Sequence, residues 1–400
     1  MRNAYIFDAI RTPRGKARPD GGLHDLSPLD LLDTLYHALQ ARNNLDPAAV
    51  GDVVLGCVTQ HGEQAANIAK TSTLSAGWSS QISGITVNRF CSSGLDAINL
   101  AALKVAAGQD DMTVAGGVEM MSRVPMLADK AAAFIDLSVA ARCQLLMMGS
   151  GADLIASLYD VSREQADAIA VDSQQKAARA RANGWFKSII PIENSTKAIN
   201  VAADECIRPQ VTLESLAAME PSFAAIGAKG VDEAQLQAYP QLREIHHIHT
   251  AGNSPAMADA AALLLIGDES CQQILGKNPR ARIRAAVNAN DDPMLVLSGC
   301  VAATKKLLER NNLSAADVDL FEIHEAFAAT MVKCQKELDI SDEKLNVNGG
   351  VIALGHPLGA TGAIMAGTLL DELERRDRSL GVVAASGAAG AGTAMLIERI

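Results

Sequence analysis

Cys91 stands in the segment Thr86-Val87-Asn88-Arg89-Phe90-Cys91-Ser92-Ser93-Gly94, between a short β-prone run and a helical pattern that starts near Leu95. A cysteine at a helix N-terminus gains thiolate character from the dipole and from nearby N–H groups, which is what a nucleophile requires. A lone cysteine is more often a small buried hydrophobe, so the reading depends on a base elsewhere in the chain. His356 offers one. It is held in Gly355-His356-Pro357-Leu358-Gly359, where proline fixes the backbone just after the imidazole and glycines allow chain and ligand to approach closely. His324, in Glu322-Ile323-His324-Glu325-Ala326-Phe327, ends an apolar strand and precedes a helix. Strand ends of this kind gather sites in α/β proteins, with a core or capping role as the alternative. The tail Ala385-Ser386-Gly387-Ala388-Ala389-Gly390 can set backbone N–H donors against a developing oxyanion, or simply allow close helix–strand packing.

The elements that must position these residues follow from apolar periodicity. Apolar runs at Ala4 to Ala9, Val53 to Val58, Ile85 to Val87 and Met112 to Ala115 read as buried strands, and they alternate with helical patterns at Leu29 to Arg42 and Leu95 to Ala107. This is the grammar of an α/β protein with covered sheets. It returns later: Arg42-Asn43-Asn44-Leu45 reappears as Arg310-Asn311-Asn312-Leu313 at a shift of 310 − 42 = 268, and aligning Cys91 with His356 needs 356 − 91 = 265. Two similar halves are expected, each ending a strand in a reactive turn. From about 120 to 245 the strand rhythm lapses into Ala-rich, charged helical stretches with Pro and Gly breaks, which predicts an inserted lid or smaller domain.

Composition narrows the chemistry. The 400 residues carry 35 − 46 = −11 net charge, too acidic for a general nucleic-acid binder. Hydrophobic residues make up 48% and aromatics only 3%, which fits a soluble globular protein with small residues at its contacts and no stacking platform for bases. No apolar stretch reaches the roughly 18 residues of a membrane span, and the N-terminus lacks a secretory pattern, so a cytoplasmic protein is expected. The seven cysteines are scattered without a CxxC pair, which argues against a disulfide framework and a structural zinc site.

Taken together, NRFCSSGLDAI, HEAF, GHPLGATGA and the Gly/Ala tail resemble the motifs of the thiolase family, the 3-ketoacyl-CoA and acetoacetyl-CoA thiolases. The likeness runs over essentially the whole chain and includes AYIFDAIRTPRGK, GCVTQHGEQAANIAK, DECIRPQVTLESLAAMEPSF and HTAGNSPAMADAAA. The resemblance implies two βαβαβαββ halves in a layered α/β core, residues 1–120 with about 246–268 and residues 269–400, plus a CoA-binding loop domain at 121–245. It implies CoA-dependent thiolysis of a 3-ketoacyl-CoA, with coenzyme A as co-substrate and no resident cofactor or metal. Cys91 would attack the 3-keto carbon; His356 would take its proton and, with His324, donate to the enolate oxygen; backbone N–H groups of Cys91 and Ala388 would serve the tetrahedral oxyanion. Arg208, Ser215, Phe223, Met148, Ser254 and Phe327 match positions lining the CoA channel and acyl pocket. A homodimer or homotetramer is implied, with the region near Cys57 to Lys70 crossing to a partner.

Three departures stand out. His324 replaces the usual asparagine, as in the degradative HEAF subgroup. Pro255 occupies the place of a serine that contacts the pantetheine amide, a contact that Ser254 would have to supply. Ser386 falls where the family has its second catalytic cysteine, the acid/base for the acetyl-CoA enolate. An alkyl hydroxyl ionises far less readily than a thiol, so attenuated activity is expected. The other readings are an acetoacetyl-CoA thiolase, a ketosynthase- or thioesterase-like enzyme, and a non-catalytic acyl-CoA-binding protein.

Overall fold

The structure is a computed structural model and describes residues 2–400. Its strands are β1 (Ala4–Arg11), β2 (Gly15–Lys16), β3 (Asp52–Gly56), β4 (Ser83–Val87), β5 (Met112–Met120), β6 (Ile192–Asn194), β7 (Ile199–Val201), β8 (Ala258–Gly267), β9 (Ala281–Asn290), β10 (Leu320–Ile323), β11 (Leu380–Ser386) and β12 (Ala391–Arg399). Ten of them form one mixed sheet in the order β10-β11-β12-β9-β1-β8-β5-β3-β4, with β2 beside β8. Its two halves meet where β1 and β9 pair antiparallel, Ala4 opposite Ile283.

Why β8 is apolar at almost every position is clear from what covers it. Ala260, Ala262, Leu264 and Ile266 face an inner core, whereas Ala261, Leu263 and Leu265 face an outer one shared with the Pro28–Asn43 helix. A strand buried on both faces reads as a continuous hydrophobic run. The inner core also takes Val383, Ala385, Met395 and Ile397 from β11 and β12, so the two halves of the sheet enclose the helices Ser93–Ala107 and Thr361–Arg375 between them. The second helix is buried from Thr361 through Leu373, which explains why it is apolar nearly all round. Beyond the second half of the sheet, Val301 and Leu307 of the Gly299–Arg310 helix and Met331 and Cys334 of the Ala328–Leu338 helix close a third core.

The repeat is real, with one uniform spacing. Strand β10 follows β3 by 320 − 52 = 268, the two inner helices differ by 361 − 93 = 268, and β11 follows β5 by 380 − 112 = 268. The counterpart of His356 is therefore Asn88 (356 − 268 = 88), and that of Cys91 is Gly359, which corrects the alignment at 265. Gly94 and Gly362 are also counterparts. A Cβ on Gly94 would come within 2.5 Å of the Gly359 carbonyl and one on Gly362 within 2.6 Å of Leu95, so only glycine lets the inner helices begin this close together.

Local differences have simple causes. The Val53–Val58 run stops as a strand at Gly56; Cys57 packs in the outer core and Val58 beside Cys91. Strand β4 begins two residues earlier than its apolar run, at Ser83. Between the halves, the charged Ala-rich stretch forms the Arg163–Ala182 helix, opened by a capping box from Ser162. That region also holds the β6–β7 hairpin, too short and too polar to be read from alternation. It is tied down by a buried ion pair: Arg11 donates to both oxygens of Asp204 at 2.7 and 2.9 Å, and the Arg14 main chain donates at 2.8 Å. Removing one partner of such a pair strands a charge in the interior.

Candidate active site

Ser92 precedes the Ser93–Ala107 helix, and its hydroxyl donates to the Ala385 carbonyl at the end of β11 (2.8 Å). The turn before it is cross-braced. Arg89 N–H donates to Ser93 Oγ at 2.8 Å, Phe90 N–H to Asn88 Oδ1 at 2.8 Å, and Phe90 adopts φ +50°. A bulky residue in that region is strained, and here the strain aims the next side chain, Cys91, off the helix end. Gly387 packs against this turn, since a Cβ there would lie 2.7 Å from the Arg89 carbonyl. The Cys91 turn and the Gly/Ala tail thus come from opposite halves and touch.

A cavity of about 280 Å³ opens at this junction. Its wall includes Cys91, His324, His356 and Ala388, and also Met148, Phe223, Ser254, Pro255 and Phe327. The N–H groups of Cys91 and Ala388 donate to no other group among the described residues, as an oxyanion site requires. Phe223 meets Phe327 edge-on at 5.9 Å, and Ser254 Oγ is buried with no partner. Ser254 therefore has a free hydroxyl beside Pro255.

The imidazoles are close but differently held. His356 Nδ1 lies 2.7 Å from Thr361 Oγ1 at the start of the inner helix, its N–H donates to the Ala256 carbonyl at 2.7 Å, and Gly355 takes φ +97° to make the turn. With Nδ1 directed at Thr361, Nε2 is left for the cavity. His324 follows the last residue of β10; its ring centre is 4.5 Å from that of His356, and neither of its ring nitrogens has a hydrogen-bond partner. Burial pushes His324 down to about 4, only partly opposed by the Ser386 main chain. Burial also holds His356 well below the ordinary imidazole range, helped by the neighbouring His324 and by Arg14. Cys91 is pushed up to about 12 by burial and then by the Glu119 charge. Burial thus favours the neutral forms of both the Cys91 thiol and the His356 imidazole.

Not every residue singled out in the sequence reaches the cavity. Ser386 is fully buried at the end of β11 and contributes nothing to the wall; its Oγ accepts the Cys300 N–H at 2.9 Å. Arg208 is half-buried outside the wall, its main-chain N–H on Gln174 Oε1 and its guanidinium 3.4 Å from the Gly252 carbonyl. Ser215 is exposed and caps the Leu213–Ala217 helix together with Thr212. No group of three or more His, Cys, Asp or Glu among the described residues is placed to hold a metal ion.

Sequence reading missed Glu119. Wholly buried in β5, it accepts from the N–H groups of Val58, Thr59 and Gly359 (2.9, 3.0 and 2.9 Å) and from Gln64 Nε2 at 2.8 Å. It thereby ties the loop after β3 to the loop that carries His356. The available signal was a carboxylate inside an apolar strand, which has no place in a core unless it is fully hydrogen-bonded. Asn88 and Thr59 on the wall were likewise unread.

The model of the thiolase N-terminal domain matches residues 4–270, and that of the thiolase C-terminal domain matches residues 277–399. The chain belongs to the thiolase family. It is 39% identical over 417 residues to a 3-ketoacyl-CoA thiolase of Shewanella frigidimarina, covering 100% of both chains. It is 37% identical over 423 residues to the 3-oxoadipyl-CoA/3-oxo-5,6-dehydrosuberyl-CoA thiolase of Escherichia coli, again with 100% coverage of both. Among solved structures, an acetyl-CoA acetyltransferase of Bacillus anthracis matches with a TM-score of 0.85 and 32% identity, over 100% of this chain and 99% of that one. The thiolase fold accounts for the layered core and for a cavity placed where loops of the two halves converge.

Proposed function

We propose that the protein is an acyltransferase that cleaves 3-ketoacyl-CoA with coenzyme A, giving acetyl-CoA and an acyl-CoA two carbons shorter. The observation that carries this reading is the convergence of Cys91, His356 and His324 with the free N–H groups of Cys91 and Ala388 on one apolar wall. In this reading His356 takes the Cys91 proton as the sulfur adds to the ketone, and the two free N–H groups stabilise the oxyanion. Carbon–carbon cleavage leaves the acyl group on sulfur, and CoA then collects it. Met148, Phe223, Phe327 and Ser254 border the path of the acyl and pantetheine arms, while Arg208 and Ser215 would act further out, toward the nucleotide.

Self-association belongs to the same reading. Strand β4 ends the sheet unpaired, Ile85 on it is 47% exposed, and Leu74 (49%) and Leu103 (56%) are exposed on two helices packed against it. An open apolar edge of this kind is a pairing surface. Gel filtration at twice the chain mass or more would fit, whereas a 42 kDa particle would not.

The test is intact-mass analysis after incubation with 3-ketoacyl-CoA, alongside CoA-dependent release of acetyl-CoA. An acyl adduct on Cys91 and turnover are expected. Release of CO₂ from malonyl-CoA without thiolysis would favour the ketosynthase-like reading, and binding without any adduct a non-catalytic one.

A further inference from the structure

Breaking the C2–C3 bond of a 3-ketoacyl thioester leaves an electron pair on C2, and that carbon must receive a proton before acetyl-CoA can leave. Apart from Cys91, which is being acylated, the titratable groups on the cavity wall are His324, His356 and Asp129. Asp129 lies exposed at the mouth, and His356 has one nitrogen engaged by Thr361. His324 differs from both. It is 1% exposed, lines the cavity, and has two ring nitrogens without a hydrogen bond of ordinary geometry, the Ser386 main chain being a weak neighbour, in a protein whose other imidazoles at 247 and 249 are held by Asp153. Buried polar atoms are nearly always paired, so two orphan nitrogens at a cavity wall mark a place where something else must bind or react. Ser386, whose position would suggest an acid, is walled off, and its oxygen is engaged by Cys300 N–H.

We propose that His324, and not Ser386, carries the proton to and from the α-carbon of acetyl-CoA, so that carbon–carbon cleavage uses both imidazoles while acyl transfer to CoA uses His356. This rests on the thiolysis reading above. The balance closes within the chain. Cys91 gives its proton to His356 as its sulfur bonds to C3. The C2–C3 bond breaks with its electrons on C2, His356 passes its proton to His324 across a bridging water, and His324 gives it to C2. When CoA attacks the thioester, its thiol proton goes to His356 and returns to Cys91 as that sulfur leaves. No oxidant, metal or second thiol is needed. Burial, which disfavours a charged His324, makes its imidazolium a ready donor to a carbanion.

Two assays separate this step from acyl transfer. Washout of deuterium from trideuterated acetyl-CoA into water reads the α-proton step, and exchange of labelled CoA into butyryl-CoA reads Cys91 chemistry alone. His324→Asn is expected to slow washout by about 10²-fold or more, and to slow it at least about tenfold more than it slows CoA exchange, and Ser386→Ala to slow washout by less than about tenfold. A hundredfold loss of washout in S386A, or washout within tenfold in H324N, overturns the proposal. If H324N fails in both assays, the S386A washout rate decides by the same limits. An unaltered chain that exchanges CoA but washes out no deuterium overturns this proposal alone. One that does neither overturns the thiolysis reading with it.

Discussion

Strands β3 and β10, the two inner helices, and strands β5 and β11 follow one another at the same 268-residue spacing, yet their ends carry different groups. Position 88 is asparagine and its counterpart 356 is histidine; position 119 is a buried carboxylate and its counterpart 387 is glycine. The first half supplies Cys91 and a brace, and the second supplies both imidazoles. The brace acts across the junction, because Glu119 accepts the N–H of Gly359, three residues beyond His356. One scaffold used twice can thus let one copy hold the other copy's catalytic loop in shape, with no group duplicated in function.

The sharpest way to break this comparison is to remove the nucleophile. Cys91→Ala should lower thiolysis by roughly 10⁴-fold or more and abolish the acyl adduct in intact-mass spectra, while the fold persists by circular dichroism. A variant that still gains an acyl mass would place the nucleophile elsewhere. Next in size is His356→Gln, expected to cost about 10²–10⁴-fold in kcat with acyl-CoA binding retained in calorimetry.

Glu119→Ala tests the brace. It would leave three buried N–H groups unpaired, so a loss of about 3 kcal/mol or more is expected, read as a lower midpoint of thermal unfolding together with lower kcat. Unchanged stability would mean that the two loops hold themselves.

The histidines of the second half also predict a pH effect on stability. His324 has a folded value of about 4, below its ordinary 6.5, so the unfolded chain binds a proton that the folded chain refuses between these limits. Stability should therefore fall as pH drops from 6.5 toward 4, by up to about 1.4 kcal/mol per pH unit from this residue. Urea unfolding of H324N should show a shallower slope over that window. The smallest effect is expected for Thr361→Val, which frees His356 Nδ1 and should lower kcat about tenfold with little change in KM.

Much of this was legible because it is local. Alternation of apolar runs marked the strands, and the residues flanking Cys91, His324 and His356 marked three turns at element ends. The hairpin at β6–β7 was not legible, since three-residue strands carry too little periodicity to register. The repeat could be seen, but its offset at the reactive turns could not, because a glycine and a histidine give no signal that they are not equivalents.

By itself the sequence determined which chemistry is at hand, since a thiol beside a helix start and two imidazoles in tight turns are properties of short segments. It also determined the layered α/β class, because hydrophobic periodicity is read along the chain. Only the tertiary structure decided which of those groups share a cavity. Glu119 became a brace because donors from two distant loops converge on it, and Ser386 was set behind the wall because the Cys300 main chain reaches it first. Such outcomes depend on how the two halves of the sheet close around a helix pair, a property of packing that no local run of residues contains.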